Sequence, residues 1–293
     1  MGADRVSSVT RHFRSALLGI ALSFQAMGSS YAADVVDAAR AALPEGVRSS
    51  GVLKVATSLQ WPPFAYKAES GEATGIDIRL VSLLAGKLGL RADFDDIKFP
   101  AIVPGVSNGR YDAGVDEIAI TAERSKVADL VPYYKANLGL LVQKGRKDVE
   151  VANLCGHTLA LTQGSMQVSI AEALSAKCVA AGKEAIKSIF FPDSADTYLA
   201  VANGRGDGFI SDIAVAVYTA KANSKLELAP GIVPASANVS GIVVKKGNAE
   251  LYHALQLALE SALADGSYAS LLKDYGVEAG TLTLDEIRNP PKN

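Results

Sequence analysis

Histidine, cysteine and tryptophan are scarce in this sequence, whose 293 residues include three histidines, two cysteines and one tryptophan. The histidines are far apart in the chain, at His12, His157 and His253. The sequence also lacks the Gly-x-Ser-x-Gly, His-Glu-x-x-His and phosphate-loop motifs. The common sequence signatures of hydrolases, metalloproteases and nucleotide-binding enzymes are therefore missing, and we expect neither a metal nor a cofactor.

An excess of one charge is absent as well. The chain has 29 Lys and Arg against 31 Asp and Glu, a formal net charge of −2. Without a basic field, a nucleic-acid partner is not expected. Hydrophobic residues make up 49% of the chain, which is typical of a folded globular protein. The length suits one large domain or two medium ones.

Residues 1–32 have the three-part order of a secretory signal peptide. Three arginines form its positive region: Arg5, Arg11 and Arg14. An apolar stretch follows at 15–28, which is short for a membrane span. Small residues at Ser30 and Ala32 then predict cleavage before Ala33. The alternative is an N-terminal amphipathic anchor. Beyond this segment no apolar run is long enough to cross a bilayer, so we expect an exported protein.

Export also bears on the two cysteines, Cys155 and Cys178, because it places them in an oxidising compartment. A disulfide between them is the favoured interpretation. Two buried free thiols are the alternative, since the sequence does not give the distance between the two Cα atoms.

Strand and helix patterns alternate along the rest of the chain, after a short helix within 35–51 that Pro44 and Gly46 end. The predicted strands are 52–58, 91–99, 113–120, 137–145, 157–165, 187–193, 207–212 and 240–247. The predicted helices are 75–90, 100–112, a short one from Thr121, 166–178, 196–206, 213–223, 250–266 and 267–276. The loop 60–66, with two prolines, is predicted to be irregular. This alternation indicates an α/β fold with mostly parallel sheets.

The order of these elements occurs twice. SNGRYDAGVDE at 107–117 and ANGRGDGFISD at 202–212 occupy equivalent places in two Rossmann-like lobes. The similar LLVQKG and IVVKKG segments are interpreted as two hinge crossovers. The predicted parts are an N-terminal helix and linker at 33–50, lobe one at 51–142 plus 245–293, and lobe two at 145–241. A ligand cleft is expected between the carboxyl ends of the strands of both lobes.

With these segments in order, the chain resembles the family 3 extracellular solute-binding proteins over about 51–277. The resemblance is carried by GVLKVATSLQWPPFAY, GIDIRLVSLLAGKLG, NGRYDAG, ITAERSKVADLVPYY, LTQGS, NGRGDGFISD and LADGSYASLLKDYG. It implies a periplasmic, monomeric protein that is not an enzyme, captures an amino acid between two closing lobes and delivers it to an ABC permease in the inner membrane. An exported dehydratase-like enzyme of the same fold and a sensor for a membrane receptor are the alternatives.

The resemblance also implies roles for single residues. Arg124 matches the arginine that pairs with a ligand α-carboxylate, for which a guanidinium is well shaped. Thr121 is interpreted as a helix N-cap. Asp212 matches the aspartate that accepts from the ligand's α-ammonium, and beside that cation it is expected to stay ionised. Its alternative role is the N-cap of helix 213–223, and the two roles are compatible. Trp61 and Phe99 match positions that enclose the ligand side chain.

The second lobe is expected to contribute the turn after strand 157–165. Four residues around this turn match cleft positions: Thr162, Ser165, Met166 and Gln167. The amides of Ser165 and Met166 would complete the grip on a carboxylate. Met166 stands where many relatives have a hydroxyl residue, so packing is its alternative role.

Asp116 and Glu117 depart from the family pattern, which has small or hydroxyl residues there. At 117 and Ala119 the family uses backbone groups, and these contacts remain available. Ser58 replaces an acidic or amide residue. We therefore predict that negative charge has moved from that loop to this strand and favours arginine, lysine, ornithine or an opine. In a strand, only one of residues 116 and 117 enters the pocket. The alternative is that one carboxylate caps the strand end and the other pairs with Arg124 in the open form.

Overall fold

The structure is a computed structural model that describes residues 34–233 and 238–290, so the predicted signal segment lies outside the described residues. Its helices in chain order are α1 (Asp37–Ala41), α2 (Glu45–Ser50), α3 (Ile76–Lys87), α4 (Phe99–Ser107), α5 (Ala122–Val127), α6 (Met166–Ala180), α7 (Ser194–Ala202), α8 (Ile213–Ala222), α9 (Ala249–Ala264), α10 (Ser267–Asp274) and α11 (Leu284–Arg288). Its strands are β1 (Val52–Thr57), β2 (Gln60–Trp61), β3 (Ala65–Lys67), β4 (Ala73–Thr74), β5 (Arg91–Asp96), β6 (Ala113–Gly114), β7 (Ala128–Ala136), β8 (Leu138–Gln143), β9 (Thr158–Thr162), β10 (Lys187–Phe191), β11 (Gly208–Asp212), β12 (Leu226–Leu228) and β13 (Asn238–Lys245).

Two mixed sheets organise the chain. One has the order β5-β1-β6-β13-β7, and we call the part of the chain around it lobe one. The other, with the order β10-β9-β11-β8-β12, defines lobe two. In each sheet the first three strands are mutually parallel and the next runs antiparallel. The predicted α/β class with two sheet-containing lobes is confirmed.

The predicted repeat appears in the topology. Lobe one runs β1-α3-β5-α4-β6 and lobe two runs β9-α6-β10-α7-β11. In both sheets the first of these strands lies between the other two. Strand order therefore reverses at the same place in each lobe. The loops that follow β1, β6, β9 and β11 lie at the carboxyl ends of parallel strands, where open α/β sheets bind ligands.

Helix α3 illustrates how the apolar pattern builds lobe one. Ile76, Leu80, Leu84 and Leu88 follow each other at intervals of four residues and are all fully buried. Burying each such side chain contributes about 1.5–3 kcal/mol. The helix is thereby held against the sheet, which fixes the loops at its N-terminal end. Gly75 precedes α3 with φ of 116°, and a Cβ there would lie 2.2 Å from the carbonyl oxygen of Phe64.

The crossovers lie elsewhere than predicted. β7 belongs to lobe one and β8 to lobe two, so the first crossover is at Asn137. The LLVQKG segment predicted as this crossover instead lies largely within β8 of lobe two. The second connection runs from β12 to β13, and its residues 234–237 lie outside the described residues. β8 and β13 are both apolar and largely buried, so their hydropathy alone does not reveal which of the two sheets each strand joins.

The predicted strand 113–120 is wrong beyond its first two residues. Regular pairing ends after β6, at Gly114, although Ala119 forms an isolated bridge with Ser240. Glu117 has φ of 48°, in the left-handed region that few residues with a Cβ adopt. The alternation rule that sent Asp116 and Glu117 to opposite faces therefore does not apply.

Several other elements differ from the prediction. β7 was not predicted, because Pro132 lies inside it; β7 is an edge strand, where proline is tolerated. Residues Gln60 and Trp61, predicted to be irregular, pair with Tyr66 and Ala65 across the two prolines. Phe99 begins α4 instead of ending a strand, and Gly46 lies inside α2 instead of ending a helix. β12, α2, α11 and a 3-10 turn at Glu278–Gly280 were missed.

The predicted disulfide is present. Cys155 and Cys178 are bonded, with their Cα atoms 5.5 Å apart. The bond joins the loop before β9 to the last turn of α6, so it fastens the helix that follows the site loop of lobe two. Among the described residues, no helix combines the length and the apolar character that a membrane crossing requires.

Candidate functional site

A small cavity lies between the two lobes, and small-molecule sites occur preferentially at such interfaces. Lobe one lines it with Trp61, Phe99, Asp116, Glu117, Ala119 and Arg124. Lobe two lines it with Thr162, Ser165, Met166, Gln167, Ser194 and Phe209. The structure thus brings together ten of the predicted residues. Ser58 and Asp212 are absent from this lining.

Arg124 lies in the short helix α5, whose N-cap Thr121 accepts a hydrogen bond from the Arg124 amide, as predicted. Its guanidinium donates to the carbonyl of Ala119 at 2.8 Å and, across the cleft, to the carbonyl of Gly164 at 3.0 Å. The carbon of the guanidinium lies 5.7 Å from the centre of the Phe99 ring. Burial lowers the pKa of Arg124 to about 10, so it remains a cation at neutral pH.

This cation has no ion pair: no carboxylate of the described part of the chain lies within 4 Å of Arg124. A pair between Arg124 and Asp116 or Glu117, the alternative for the open form, is absent from the arrangement described here and stays a prediction for that form. Since Nη1 and Nη2 bind only carbonyl oxygens, the guanidinium retains donors for an anionic group in the cavity.

Asp116 is held by lobe one. Its Oδ1 accepts from the Thr57 hydroxyl and the Ser58 amide, both at 3.2 Å, and its Oδ2 accepts from the Ser58 hydroxyl at 2.7 Å. Burial raises the pKa of Asp116 to about 6, although these hydrogen bonds act in the opposite direction. Asp116 thus caps the end of β1, and Ser58, predicted to contact the ligand, is a buried donor to this carboxylate.

Glu117 has a different environment. Its Oε2 accepts from the indole Nε1–H of Trp61 at 2.6 Å, whereas its Oε1 is buried without a partner among the described residues. Its amide donates to Asp77, another fully buried carboxylate, at 2.7 Å. Burial, followed by repulsion from Asp212, raises the pKa of Glu117 well above its ordinary value.

Asp212 caps helix α8, its alternative role, by accepting from the amides of Ala214 at 2.7 Å and Val215 at 3.4 Å. It lines an adjoining space next to Tyr134 and Tyr218 instead of the cavity itself. No cation of the described residues pairs with it, and burial raises its pKa. The expectation that Asp212 stays ionised concerns the protein with a cation bound beside it, and for that state it stays a prediction.

The loop of lobe two is shaped by Gly164, whose φ is 72°. It is followed by Ser165, the N-cap residue of α6, whose Oγ is buried and has no partner among the described residues. The hydroxyl of Thr162 lies 3.0 Å from that of Thr197 and 3.4 Å from that of Ser194. Ser165 therefore offers a free hydroxyl to the cavity, whereas Thr162 is engaged within its own lobe.

Contacts across the cleft join the lobes on either side of the cavity. The rings of Trp61 and Phe209 meet edge to face with their centres 6.0 Å apart. The Tyr198 hydroxyl donates to the carbonyl of Gln60 at 3.1 Å. Lys98 forms an ion pair with Asp193. The structure is therefore that of the closed arrangement.

Two lining residues, Ser194 and Phe209, were not predicted. The internal repeat carries a signal for Ser194, because it begins α7 as Phe99 begins α4. Phe209 lies in β11, between the glycine and the aspartate that the repeat highlights, and its contact with Trp61 depends on how the lobes meet. Among the described residues, no group of three or more His, Cys, Asp or Glu side chains is arranged to hold a metal ion.

Two α/β lobes that close over a cavity lined from both sides define a solute-binding protein of the two-lobed class. The family model for bacterial extracellular solute-binding proteins, family 3, matches residues 53–278. The chain therefore belongs to this family, which confirms the resemblance inferred from the sequence.

Relatives and solved structures agree with this assignment. The chain is 25% identical over 263 residues to the arginine-binding protein ArgT of Corynebacterium glutamicum, covering 89% of this chain and 86% of that protein. The substrate-binding protein AbpA of an amino acid ABC transporter from Streptococcus pneumoniae, bound to L-arginine, has a TM-score of 0.72 at 25% identity, covering 79% and 97%. An ancestral amino acid-binding protein, a precursor of cyclohexadienyl dehydratase, has a TM-score of 0.69 at 27% identity, covering 78% and 97%.

Proposed function

We propose that this protein captures an amino acid with a cationic side chain, or an opine derived from one, and delivers it to the permease of an ABC importer. The observation that carries the proposal is the charge balance of the closed cleft. Arg124 is the one cation among the lining residues described, and it shares the cavity with Asp116 and Glu117. Asp212 lies close enough to raise the pKa of Glu117.

The raised pKa values of these carboxyl groups support a cationic ligand. Burial disfavours their ionised forms. A ligand that brings positive charge into the cavity would stabilise the carboxylates and recover the cost of burying them. An α-ammonium group alone supplies one charge, whereas a basic amino acid supplies two.

The other end of the cavity suits the α-carboxylate. Arg124 retains guanidinium donors there, and Ser165 offers an unpaired buried hydroxyl at the start of the fifteen-residue helix α6. Charge-assisted hydrogen bonds from Arg are among the strongest available to a carboxylate. Backbone amides at a helix start add to them. Ligand roles for Ala119, Met166, Gln167, Trp61 and Phe99 are part of this proposal.

The proposal includes transport and location. The names of ArgT and AbpA, an arginine-binding protein and an importer component bound to L-arginine, support the ligand class. We infer that the protein acts as a monomer in the periplasm after cleavage before Ala33. Closure about the two crossovers would then present the loaded form to the permease.

A thermal-shift panel tests the ligand class. Purified protein is unfolded and refolded to remove carried ligand, and then mixed with amino acids, opines, polyamines and sugars. Ligand at 100 times its Kd stabilises by about 2.7 kcal/mol. We expect responses from arginine, lysine, ornithine or opines. Stabilisation by neutral or acidic amino acids alone would contradict the preference for a cationic side chain. If no amino acid stabilises the protein, the proposal as a whole is contradicted.

One observation favours a second candidate, an exported enzyme. Glu117 has a raised pKa and an unpaired oxygen in a cleft, which is the environment of a general acid. The similarity to a precursor of cyclohexadienyl dehydratase supports the same idea. Prolonged incubation with each ligand from the panel, followed by mass spectrometry, separates the two. A chemically altered ligand indicates an enzyme, and an unchanged ligand a binding protein.

A further inference from the structure

Glu117 is held in an uncommon backbone conformation by groups of lobe one. With φ of 48°, its amide donates to Asp77 Oδ2 at 2.7 Å, and its carbonyl accepts from the Ser240 hydroxyl at 3.3 Å. A residue with a Cβ adopts this conformation at an energetic cost that the surrounding structure has to offset. The two hydrogen bonds fix the direction in which the side chain leaves the backbone.

Asp77 lies at the start of α3 and is fully buried. Besides the Glu117 amide, it accepts from the Tyr133 hydroxyl at 2.6 Å. No cation of the described chain pairs with it, and burial raises its pKa to about 7. A buried carboxyl group is a costly way to satisfy one amide and one hydroxyl. Its effect is to hold Glu117.

The Glu117 carboxyl group is only half satisfied. The indole N–H of Trp61 donates to Oε2 at 2.6 Å, and Oε1 is buried without a partner among the described residues. A buried acceptor left unpaired has lost its hydrogen bonds to water without replacement, which destabilises the folded protein. Asp116, the other carboxylate of the lining, has both oxygens bonded to Thr57 and Ser58. The two acidic residues are therefore not equivalent, and Glu117 alone of this pair presents a free oxygen.

We propose that Glu117 Oε1 is the acceptor that selects a protonated nitrogen of the ligand, and that Asp77 is the positioning residue that turns Glu117 into the cavity. The Trp61 indole fixes the plane of the carboxylate. This inference rests on the proposed function and assigns selectivity to one side chain and its support. Asp116 serves as a structural cap.

The main test is calorimetric titration of the refolded protein with L-arginine and L-citrulline, whose neutral side chain resembles that of arginine. In Glu117→Gln a single carbonyl oxygen has to serve both Trp61 and the ligand. We expect Kd for arginine to rise about ten- to a hundred-fold, the loss of one charged hydrogen bond. Glu123→Gln, a change at an exposed glutamate of α5, is the matched control and should leave Kd unchanged.

The two ligands identify the nitrogen involved. If Glu117→Gln loses affinity for arginine alone, the side-chain cation of the ligand binds Glu117. If it loses affinity equally for citrulline, the α-ammonium binds there. Unchanged arginine binding in Glu117→Gln would overturn the inference and leave the proposed function standing. If the panel identifies another basic amino acid or an opine, that ligand replaces arginine in the titration. Wild-type protein that binds none of them would contradict the proposed function itself, and the inference with it.

Trp61 provides a readout for Asp77 that does not need a ligand. It is the one tryptophan of the chain, and its indole is bonded to Glu117. If Asp77 positions Glu117, Asp77→Asn and Glu117→Gln should shift the fluorescence emission of the folded protein in the same direction. Glu123→Gln should not shift it. Emission unchanged in folded Asp77→Asn would overturn the positioning role. If that variant does not fold, Tyr133→Phe, which removes the second donor to Asp77, replaces it.

Discussion

The guanidinium of Arg124 in lobe one donates to the carbonyl of Gly164 in lobe two at 3.0 Å. The same cation that faces the cavity therefore also joins the lobes. Since Arg124 has no carboxylate partner among the described residues, an anion that binds it would be held where closure takes place. Ligand capture and closure would then be coupled through this one side chain.

Arg124→Ala should abolish high-affinity binding while leaving the fold intact. The variant removes the cation from the cavity and the contact with Gly164. We expect Kd for the ligand found in the panel to rise at least about a hundred-fold, measured by calorimetry. Lys126→Ala, at an exposed residue of the same helix, is the control. Comparable loss in both variants would point to damage to α5 instead of loss of the anion contact.

The ion pair between Lys98 and Asp193 should slow ligand release. It joins the residue before α4 to the residue before α7 across the cleft, and it forms only when the lobes meet. Lys98 is exposed, so we expect Lys98→Ala to raise the dissociation rate only about two- to five-fold, as for a surface ion pair. Stopped-flow fluorescence of Trp61 measures it. Arg91→Ala breaks a pair with Asp93 inside lobe one and should not change the rate.

Without ligand, the protein should lose stability as pH rises from 5 to 8. Burial raises the pKa of Asp116 to about 6 and of Asp77 to about 7, from ordinary values of 3.8. A raised pKa means that the folded state binds protons that the unfolded state has released. This contribution is complete below about pH 4 and is lost as pH rises through 6 and 7. Glu117 and Asp212, also buried and with raised pKa values, act in the same direction.

A cationic ligand should reverse this trend, because it prefers the ionised carboxylates. The rise in Tm caused by arginine should therefore grow from pH 5 to pH 8, measured by thermal shift at each pH. Carboxylates with lowered pKa values stay ionised from pH 5 to pH 8, so they do not contribute to this change in Tm. An example is Glu286, which is bonded to Thr283 and Lys135 and has a pKa of about 2. A ligand-induced shift that is constant with pH would show that these carboxyl groups do not sense the ligand.

Removing the disulfide should weaken lobe two. The bond between Cys155 and Cys178 closes a loop with a sequence separation of 23. Replacing both residues by serine is expected to cost about 3 kcal/mol, chiefly because the unfolded chain regains freedom. Urea unfolding of the double variant, compared with the wild type, measures the loss. Unchanged stability would mean that the bond does not form in the exported protein.

Much of the site followed from sequence because it depends on local features. Arg124 lies three residues after the helix cap Thr121, and Ser165 follows a glycine turn, so each position is set within a few residues. Phe209 was missed because its place depends on the contact between the two lobes, and no local pattern encodes that contact.

The sequence by itself determined the family, the repeated α/β order and the pairing of the two cysteines as the favoured choice. These depend on hydropathy period, on motif order and on composition, all of which are local or additive along the chain. Only the tertiary structure decided that β8 joins the sheet of lobe two and β13 the sheet of lobe one, that Ser58 is a donor to Asp116, and that Glu117 has an unpaired oxygen. Those outcomes depend on pairing between residues 40 to more than 100 positions apart, such as Asp77 with Glu117 or Ser240 with Glu117, at separations of 40 and 123. A hydrogen bond over such a separation is set by how the whole fold closes.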